Sequence, residues 1–256
     1  MVLQVDLNAD MGESFGPWKM GNDAALLDLV TSANIACGGH AGDPDVMAQT
    51  MALAVEKGVN IGAHPGFADL QGFGRRRVQL SPNELSHLIT YQVGAAQAMA
   101  KAMGGQLRHM KLHGALSNMT CEDQAMAETC FSAALRVQPD LTIMVLAASK
   151  QQNAVENLGC RWVGEIFADR AYNDAAILVD RKLPGSVIHD SDLAAKRIEA
   201  MIKHQAIITQ SGKHIKSKID TVCLHGDGPT AVQMAQTLRK RLSDAGILVR
   251  PFGKSK

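Results

Sequence analysis

Short apolar runs alternate along the chain with longer segments that have the periodicity of amphipathic helices. Seven runs of five or six residues predict buried strands: Leu3 to Leu7, Ser32 to Ala36, Val59 to Ala63, Leu107 to Lys111, Leu141 to Leu146, Trp162 to Ile166 and Ile219 to Leu224. Strands that alternate with helical segments are typical of βα units around a parallel sheet. The pattern therefore predicts an α/β fold.

Capping signals mark the start of four predicted helices. Ser81, Pro82 and Glu84 have the pattern of an N-cap, a first-turn proline and a capping-box acid, and Gly104 marks the end of that helix. The other predicted helices open at Asp43 with Pro44, at Thr120 with Asp123, and after Pro229. The stretch from Ile177 to Ile188 differs, because Leu183-Pro184-Gly185 is a turn signal between two apolar runs. It predicts a small inserted hairpin at the rim of the sheet.

Composition narrows the class of protein. The 256 residues are 46% hydrophobic, which suits one α/β barrel, so we expect residues 1–256 to form a single domain. A net charge of +1 provides no field that attracts nucleic acid or an anionic membrane, so neither is expected as a partner. The first six residues have neither the basic nor the long apolar region of a signal peptide, so we expect no secretion signal, and no apolar stretch reaches the length of a membrane span. Five cysteines without a CxxC pair indicate reduced thiols, and we expect a cytoplasmic protein.

Ionisable and polar side chains collect at the carboxyl ends of six predicted strands. They are Asn8, Asp10 and Glu13, then His40 and Asp43, His64 and Asp69, Lys111 and His113, Asp169 and Arg170, and finally His225 and Asp227. The loops at this end of a parallel barrel converge on one mouth, where catalytic residues collect. The sequence therefore predicts an active site there.

Alternation along two strands indicates that polar groups also face the barrel interior. Asp6 and Asn8 share one face of the first strand, and His109, Lys111 and His113 share one face of the fourth. A buried charge is costly unless it is paired, so these residues form either a structural network or a site. For Asp6 both interpretations stay open, whereas Lys111 beside His113 favours function. Each remaining histidine alone is more typical of a packed core residue.

Several motifs in the same order resemble those of the LamB/YcsF family, which includes the A component of bacterial 5-oxoprolinase. The motifs are Asp6-Leu7-Asn8-Ala9-Asp10-Met11-Gly12-Glu13, Asn34-Ile35-Ala36-Cys37-Gly38-Gly39-His40-Ala41-Gly42-Asp43-Pro44, Gly62-Ala63-His64-Pro65-Gly66-Phe67, Gly72-Phe73-Gly74-Arg75-Arg76, Lys111-Leu112-His113-Gly114-Ala115-Leu116, Phe167-Ala168-Asp169-Arg170-Ala171-Tyr172 and His225-Gly226-Asp227. The resemblance implies an irregular seven-stranded, deacetylase-like β/α barrel. It also implies ATP-dependent opening of 5-oxoproline to glutamate, with ATP handled together with partner subunits B and C.

The expected roles divide the polar residues into two groups. The candidate catalytic residues are Asp10, Glu13, His40, His64, Lys111 and His113. The candidate substrate-binding residues are Asp6, Asn8, Arg75, Asp169, Arg170, His225 and Asp227. Two alternatives stay open: a self-sufficient deacetylase or amidase whose divalent metal is held by Asp6 or Asp10 with His40 and His64, and a binding subunit without catalysis.

Overall fold

The barrel is formed by seven parallel strands in this computed structural model, which describes residues 3–224 and 231–253. The strands of the chain are β1 (Gln4–Met11), β2 (Ser32–Ala36), β3 (Asn60–His64), β4 (Leu107–Lys111), β5 (Thr142–Leu146), β6 (Trp162–Phe167), β7 (Ala206–Ile208), β8 (His214–Lys216), β9 (Thr221–Leu224) and β10 (Leu248–Val249). Strands β1 to β6 pair in order, and β9 pairs with both β6 and β1, which closes the ring. The short β10 adds to the other end of β1. The predicted α/β barrel of seven strands is confirmed.

Helices cover the outside of the barrel. They are α1 (Asp23–Leu27), α2 (Pro44–Glu56), α3 (Pro82–Ala102), α4 (Gly114–Glu122), α5 (Gln124–Val137), α6 (Lys150–Leu158), α7 (Ser191–His204) and α8 (Ala231–Asp244). Helix α3 shows why they pack there: Leu85, Ile89 and Val93 recur at helical spacing and are buried. The outward-facing strand residues and the helix faces form one apolar cluster. None of the described helices combines the length and apolar composition that crossing a membrane requires.

The predicted strands agree with the observed ones to within four residues at each end. The largest difference is β1, which continues to Met11, so Asn8 and Asp10 lie inside this strand instead of following it. The prediction that a helix opens at Thr120 is wrong. Thr120 lies inside α4 and donates its hydroxyl to the Leu116 carbonyl (2.9 Å), while Asp123 caps α5. Helices α4 and α5 meet at Asp123, which caps both of them. The helical sequence pattern is therefore continuous and does not mark the boundary between the two helices.

The predicted hairpin between Ile177 and Ile188 is also wrong. Its two runs flank residues 170–172 instead of pairing with each other: the Ala171 N–H donates to the Ser186 carbonyl, and the Val179 N–H donates to the Ala171 carbonyl, both at 3.0 Å. The segment of residues 177–188 is therefore an irregular loop held by the chain that follows β6. The antiparallel pair of short strands is instead β7 with β8.

Removing the capping box of α3 should weaken the fold measurably. The Ser81 hydroxyl accepts from the Glu84 N–H (3.3 Å), and the Glu84 carboxylate accepts from the Ser81 N–H (2.8 Å). We expect Ser81→Ala to lower the free energy of unfolding by about 1 kcal/mol in urea denaturation. Ser243→Ala, on the exposed face near the end of α8, is the control and should change it little. Equal effects of the two substitutions would contradict a stabilising role for the cap.

Candidate active site

The lowest polar layer of the barrel interior is built around Asp6. Its carboxylate accepts hydrogen bonds from the hydroxyls of Thr31 (2.6 Å), Ser32 (2.7 Å) and Thr221 (2.5 Å). Burial raises the pKa of Asp6 to about 6, although the three hydroxyls favour the charged form. Because β1, β2 and β9 all contribute to it, this layer ties together the strands at which the barrel closes.

The middle layer is a neutral network of amides and an imidazole. Asn34 donates its amide N–H groups to Asn8 Oδ1 (2.7 Å) and Asp10 Oδ1 (2.9 Å), and its own Oδ1 lies 2.7 Å from His109 Nε2. Burial, together with the nearby Lys111 charge, lowers the pKa of His109 to about 3. A Cβ atom at Gly62 would lie only 2.1 Å from His109 Nε2, so glycine there makes room for the ring.

Lys111 dominates the next layer toward the carboxyl end. Its Nζ lies 2.8 Å from Asp10 Oδ1, 2.9 Å from Glu165 Oε1 and 3.0 Å from Cys223 Sγ. Burial disfavours the ammonium form, but the charge of Asp10, with contributions from Cys223 and Glu165, raises the pKa of Lys111 well above its ordinary value. Lys111 is therefore a fixed cation, only 5% exposed, inside the barrel.

A cluster of one carboxylate and three imidazoles lies beside this layer: Glu13, His40, His64 and His113 offer atoms that all lie within 4.8 Å of one another. His113 Nδ1 is 3.0 Å from His64 Nε2, and His40 Nε2 is 3.3 Å from Glu13 Oε1. The rings of His40 and His113 stack in parallel, with centroids 3.6 Å apart. Burial, followed by neighbouring histidines, lowers the pKa of His113 to about 3 and that of His40 well below its ordinary value.

The positions of these four residues follow from strand ends and tight turns. His64 ends β3, His113 is the N-cap of α4 just after β4, His40 lies between β2 and α2, and Glu13 follows β1. Gly74 closes the cluster from outside with a φ of +62°, and a Cβ atom there would lie 2.7 Å from the His40 Cβ. Glycine is thus required both for the backbone conformation and for the close approach.

A cavity of about 600 Å³ opens above the buried polar groups. Asp10, Glu13, His64, Lys111 and His113 face it from the barrel. Apolar side chains form part of its wall: Leu146, Phe167, Ile177 and Leu178. Four exposed basic side chains at its mouth outnumber two acidic ones: Arg75, Arg77, Arg181 and Lys182 lie there with Glu122 and Asp180. The cavity therefore suits a small, partly apolar ligand that carries negative charge.

The structure brings most of the predicted catalytic residues to this cavity. Of the six, His40 alone is absent from the lining that the described residues form, since it lies behind His113. Among the predicted substrate-binding residues, Arg75 and Arg170 line the cavity, while Asp169 does not. Asp6 and Asn8 lie deeper, in the lower and middle layers. His225 and Asp227 lie outside the described residues.

Two arginines near the mouth are engaged in structural contacts. Arg170 donates to the carbonyls of Val179 (2.6 Å) and Ser186 (3.4 Å), which fixes the loop of residues 177–188. Arg76 pairs with Asp69. Arg75 is exposed and also lines the cavity, with its guanidinium carbon 4.9 Å from the centroid of the Phe73 ring. Its position makes Arg75 the better candidate to meet an anionic ligand.

Sequence reasoning missed Glu165, the second carboxylate at Lys111. A signal was present, since Glu165 is the one acid in an otherwise apolar predicted strand. Alternation places Glu165 on the same strand face as Phe167, whose ring centroid lies 5.1 Å from Lys111 Nζ. Cys223 was missed as well, because a cysteine in an apolar run has the pattern of an ordinary core residue.

Comparison with known proteins assigns the chain to a family. The family model described as LamB/YcsF family matches residues 5–256. The chain belongs to the LamB/YcsF family. It is 64% identical over 251 residues to a protein of Ruegeria pomeroyi that is named as the A component of 5-oxoprolinase, covering 98% of this chain and 99% of that protein.

Solved structures of a similar protein and of a distant one share the barrel. A lactam utilization protein from Thermus thermophilus is 40% identical, with a TM-score of 0.92, over 98% of this chain and all of that one. The catalytic domain of a peptidoglycan N-acetylglucosamine deacetylase from Eubacterium rectale is 12% identical, with a TM-score of 0.52, over 98% of this chain and 89% of that one. The second likeness concerns the fold alone, and it confirms the expected deacetylase-like barrel of this LamB/YcsF protein.

The raised pKa of Asp6 predicts that the Asp6 carboxylate lowers the free energy of unfolding as pH rises. Because the folded-state pKa of about 6 lies above the ordinary 3.8, the folded protein binds more protons than the unfolded chain between these values. The stability of wild type relative to Asp6→Asn should therefore fall by about 2 kcal/mol as pH rises from about 4 to about 7.

Urea denaturation of both proteins across this range measures that difference. Asp140→Asn is the control: Asp140 is exposed, and its side chain lies 3.6 Å from the exposed Arg161, so its effect should change little with pH. A constant difference between wild type and Asp6→Asn would contradict the raised pKa.

Proposed function

We propose that this chain is the A component of an ATP-dependent 5-oxoprolinase, which acts with subunits B and C to open 5-oxoproline to glutamate. The observation that carries the proposal is the Lys111 ammonium, held against Asp10 at the base of a cavity with a basic mouth. The full-length likeness to a protein named as the A component of 5-oxoprolinase supports the same reaction. The reaction belongs in the cytoplasm, where ATP is available.

The chemistry explains why ATP and partners are needed. A five-membered lactam is a resonance-stabilised amide, so opening it requires an activated carbonyl, a stabiliser for the charge on oxygen and a proton for the leaving nitrogen. The sequence contains no P-loop, so we assign ATP binding and phosphorylation of the lactam oxygen to the complex with the partner subunits. Water then adds to the activated carbon, and the C–N bond breaks as nitrogen takes a proton. A second water releases phosphate and leaves glutamate.

The residues at the cavity divide this work. Lys111 stabilises negative charge on the oxygen of the activated group, because a fixed ammonium in a poorly hydrated interior acts strongly. Asp10 or Glu13 accepts a proton from water, and both face the cavity. Arg75 binds the substrate carboxylate, while the apolar wall near Phe167 and Leu178 contacts the ring methylenes. Arg170 supports this wall indirectly by holding the loop of residues 177–188.

One alternative has an observation in its favour. The cluster of Glu13, His40, His64 and His113 consists of metal-ligand types, and the barrel is deacetylase-like, which together favour a self-sufficient metal-dependent amidase or deacetylase. That enzyme would open its amide without ATP. A binding subunit without catalysis would use the same cavity and would bind 5-oxoproline without turnover.

Reconstitution with partner subunits tests the proposed function. Glutamate formed from 5-oxoproline and ATP is measured with subunits B and C alone and with this chain added. We expect glutamate and ADP to appear together only in the complete mixture. Glutamate formation without ATP would favour the self-sufficient amidase. No glutamate from folded chain and competent partners would overturn the proposal.

Substitution of Lys111 tests the residue that the proposal depends on. We expect Lys111→Met to lower glutamate formation in the reconstituted complex by roughly 100-fold or more, because the stabilising charge is lost. The double variant Lys111→Met/Glu165→Gln removes both members of a buried pair, which avoids leaving Glu165 unpaired, and it should fold yet stay inactive.

Lys101→Met provides the matched control, since Lys101 is exposed in the last turn of α3 and should retain full activity. Circular dichroism establishes that each variant is folded. Full activity in the folded double variant would remove Lys111 from catalysis and would favour a chain that only binds the substrate.

A further inference from the structure

We infer that His64 Nε2, His113 Nδ1 and the Glu13 carboxylate form a binding site for a first-row divalent metal ion, with His40 as a positioning residue behind them. The inference rests on the hydrogen-bond geometry of this cluster and holds whether or not the substrate is a lactam. Its ligand set differs from the one expected from the sequence, which combined Asp6 or Asp10 with His40 and His64.

Hydrogen bonds at the outer edges of two rings fix where their protons lie. His64 Nδ1 is 2.8 Å from the Lys111 carbonyl oxygen, and His113 Nε2 is 2.8 Å from the Phe73 carbonyl oxygen. A carbonyl oxygen only accepts, so each of these nitrogens must carry the N–H. The inner nitrogens, His64 Nε2 and His113 Nδ1, therefore present lone pairs when the rings are neutral.

These two lone-pair nitrogens face each other at 3.0 Å, with neither able to donate. Such an approach is unfavourable unless a cation lies between them. The spacing suits a metal: two ligand atoms that are each about 2.1 Å from one ion lie about 3.0 to 3.4 Å apart when their angle is between a right angle and the tetrahedral angle. Each ring is held by a backbone carbonyl on its other nitrogen, which is the usual support for a metal-binding histidine.

Carboxylates complete the coordination and the charge. Glu13 Oε1 lies 3.8 Å from His113 Nδ1, and Asp10 Oδ2 lies 3.4 Å from His64 Nε2. The ligands are two neutral imidazole nitrogens and the carboxylate oxygen of Glu13. Such a mixed nitrogen and oxygen set favours Zn²⁺, Mn²⁺ or Co²⁺ over Ca²⁺. Asp10 also pairs with Lys111, so it stands between the metal site and the ammonium. Asp6 is excluded, because three hydroxyls in the lowest layer occupy its carboxylate.

His40 has a different role beside the proposed metal site. Its ring is parallel to His113 within 1°, with centroids 3.6 Å apart, so an ion in the plane of one ring lies well outside the plane of the other. A metal ion must lie close to the plane of the imidazole that binds it. His40 therefore cannot share the ion with His113 in this arrangement. His40 instead stacks on His113 and contacts Glu13 Oε1 through Nε2 (3.3 Å). A bound ion would polarise an oxygen of the ligand in the adjoining cavity.

Metal content of the purified chain tests the inference without reference to activity. The protein is stripped with a chelator, dialysed, titrated with Zn²⁺ by calorimetry, and analysed by mass spectrometry for retained metal. We expect about one ion per chain, and the Co²⁺ form should show the visible absorption of a site with nitrogen ligands. His64→Gln and His113→Gln should each weaken Zn²⁺ binding by roughly 100-fold or more.

Two further variants make the result specific. His204 and His214 form a ring pair on the protein surface, with centroids 5.1 Å apart, so the double variant His204→Gln/His214→Gln removes an adventitious site and should keep the bound ion. His40→Phe keeps a ring to stack on His113 and should also retain one ion.

Loss of the ion in His40→Phe would overturn the assignment of His40 as a positioning residue. Absence of a bound ion in the wild-type chain at saturating Zn²⁺ would overturn the site whatever the variants do. A proton shared between His64 and His113 would then explain their short separation. Either result leaves the test of ATP-coupled glutamate formation untouched, so the two proposals fail separately.

Discussion

The buried ammonium of Lys111 is the constraint on which the barrel interior depends. A charge in this position is tolerated only because Asp10 and Glu165 lie within 2.9 Å of it, and losing one partner of such a group costs about 3 to 5 kcal/mol. Its charge therefore favours polar neighbours on this side of the barrel, and these neighbours hydrogen-bond one another. Asp10 is held by Asn34, which is held in turn against Asn8 and His109, so the need for hydrogen bonds extends downward through the layers.

The layers have different mechanical roles. The Asp6 layer joins three strands through short hydroxyl contacts and is remote from the cavity, so it serves barrel closure. Lys111 and the histidine cluster, except His40, face the cavity, and the backbone at Gly74 lies close against His40 and His113. A polar interior of this kind gives up part of the apolar packing of an ordinary barrel. It gains a set of charged and neutral groups whose positions are fixed before a ligand arrives.

The same arrangement relates the two proposals to each other. Asp10 lies between the Lys111 ammonium and His64 Nε2, so it couples the group proposed to stabilise oxygen with the proposed metal site. The basic side chains at the mouth of the cavity are exposed, so they meet a ligand first. The loop of residues 177–188 forms one wall of the cavity, and Arg170 sets its position through backbone carbonyls.

Local sequence patterns determined the features that depend on neighbouring residues. The bounds of β2 and β4, the capping box at Ser81 and the inward faces of Asp6 and Lys111 follow from periodicity and from short-range hydrogen bonds. Tertiary structure alone decided the pairing of Lys111 with Glu165, since 54 positions separate them and they lie on β4 and β6, which flank β5 in the barrel. It also decided the pairing of the loop after Ile177, and the carbonyl bonds that turn two histidine nitrogens toward each other. These contacts depend on register and ring orientation, which residue order specifies only through the folded chain.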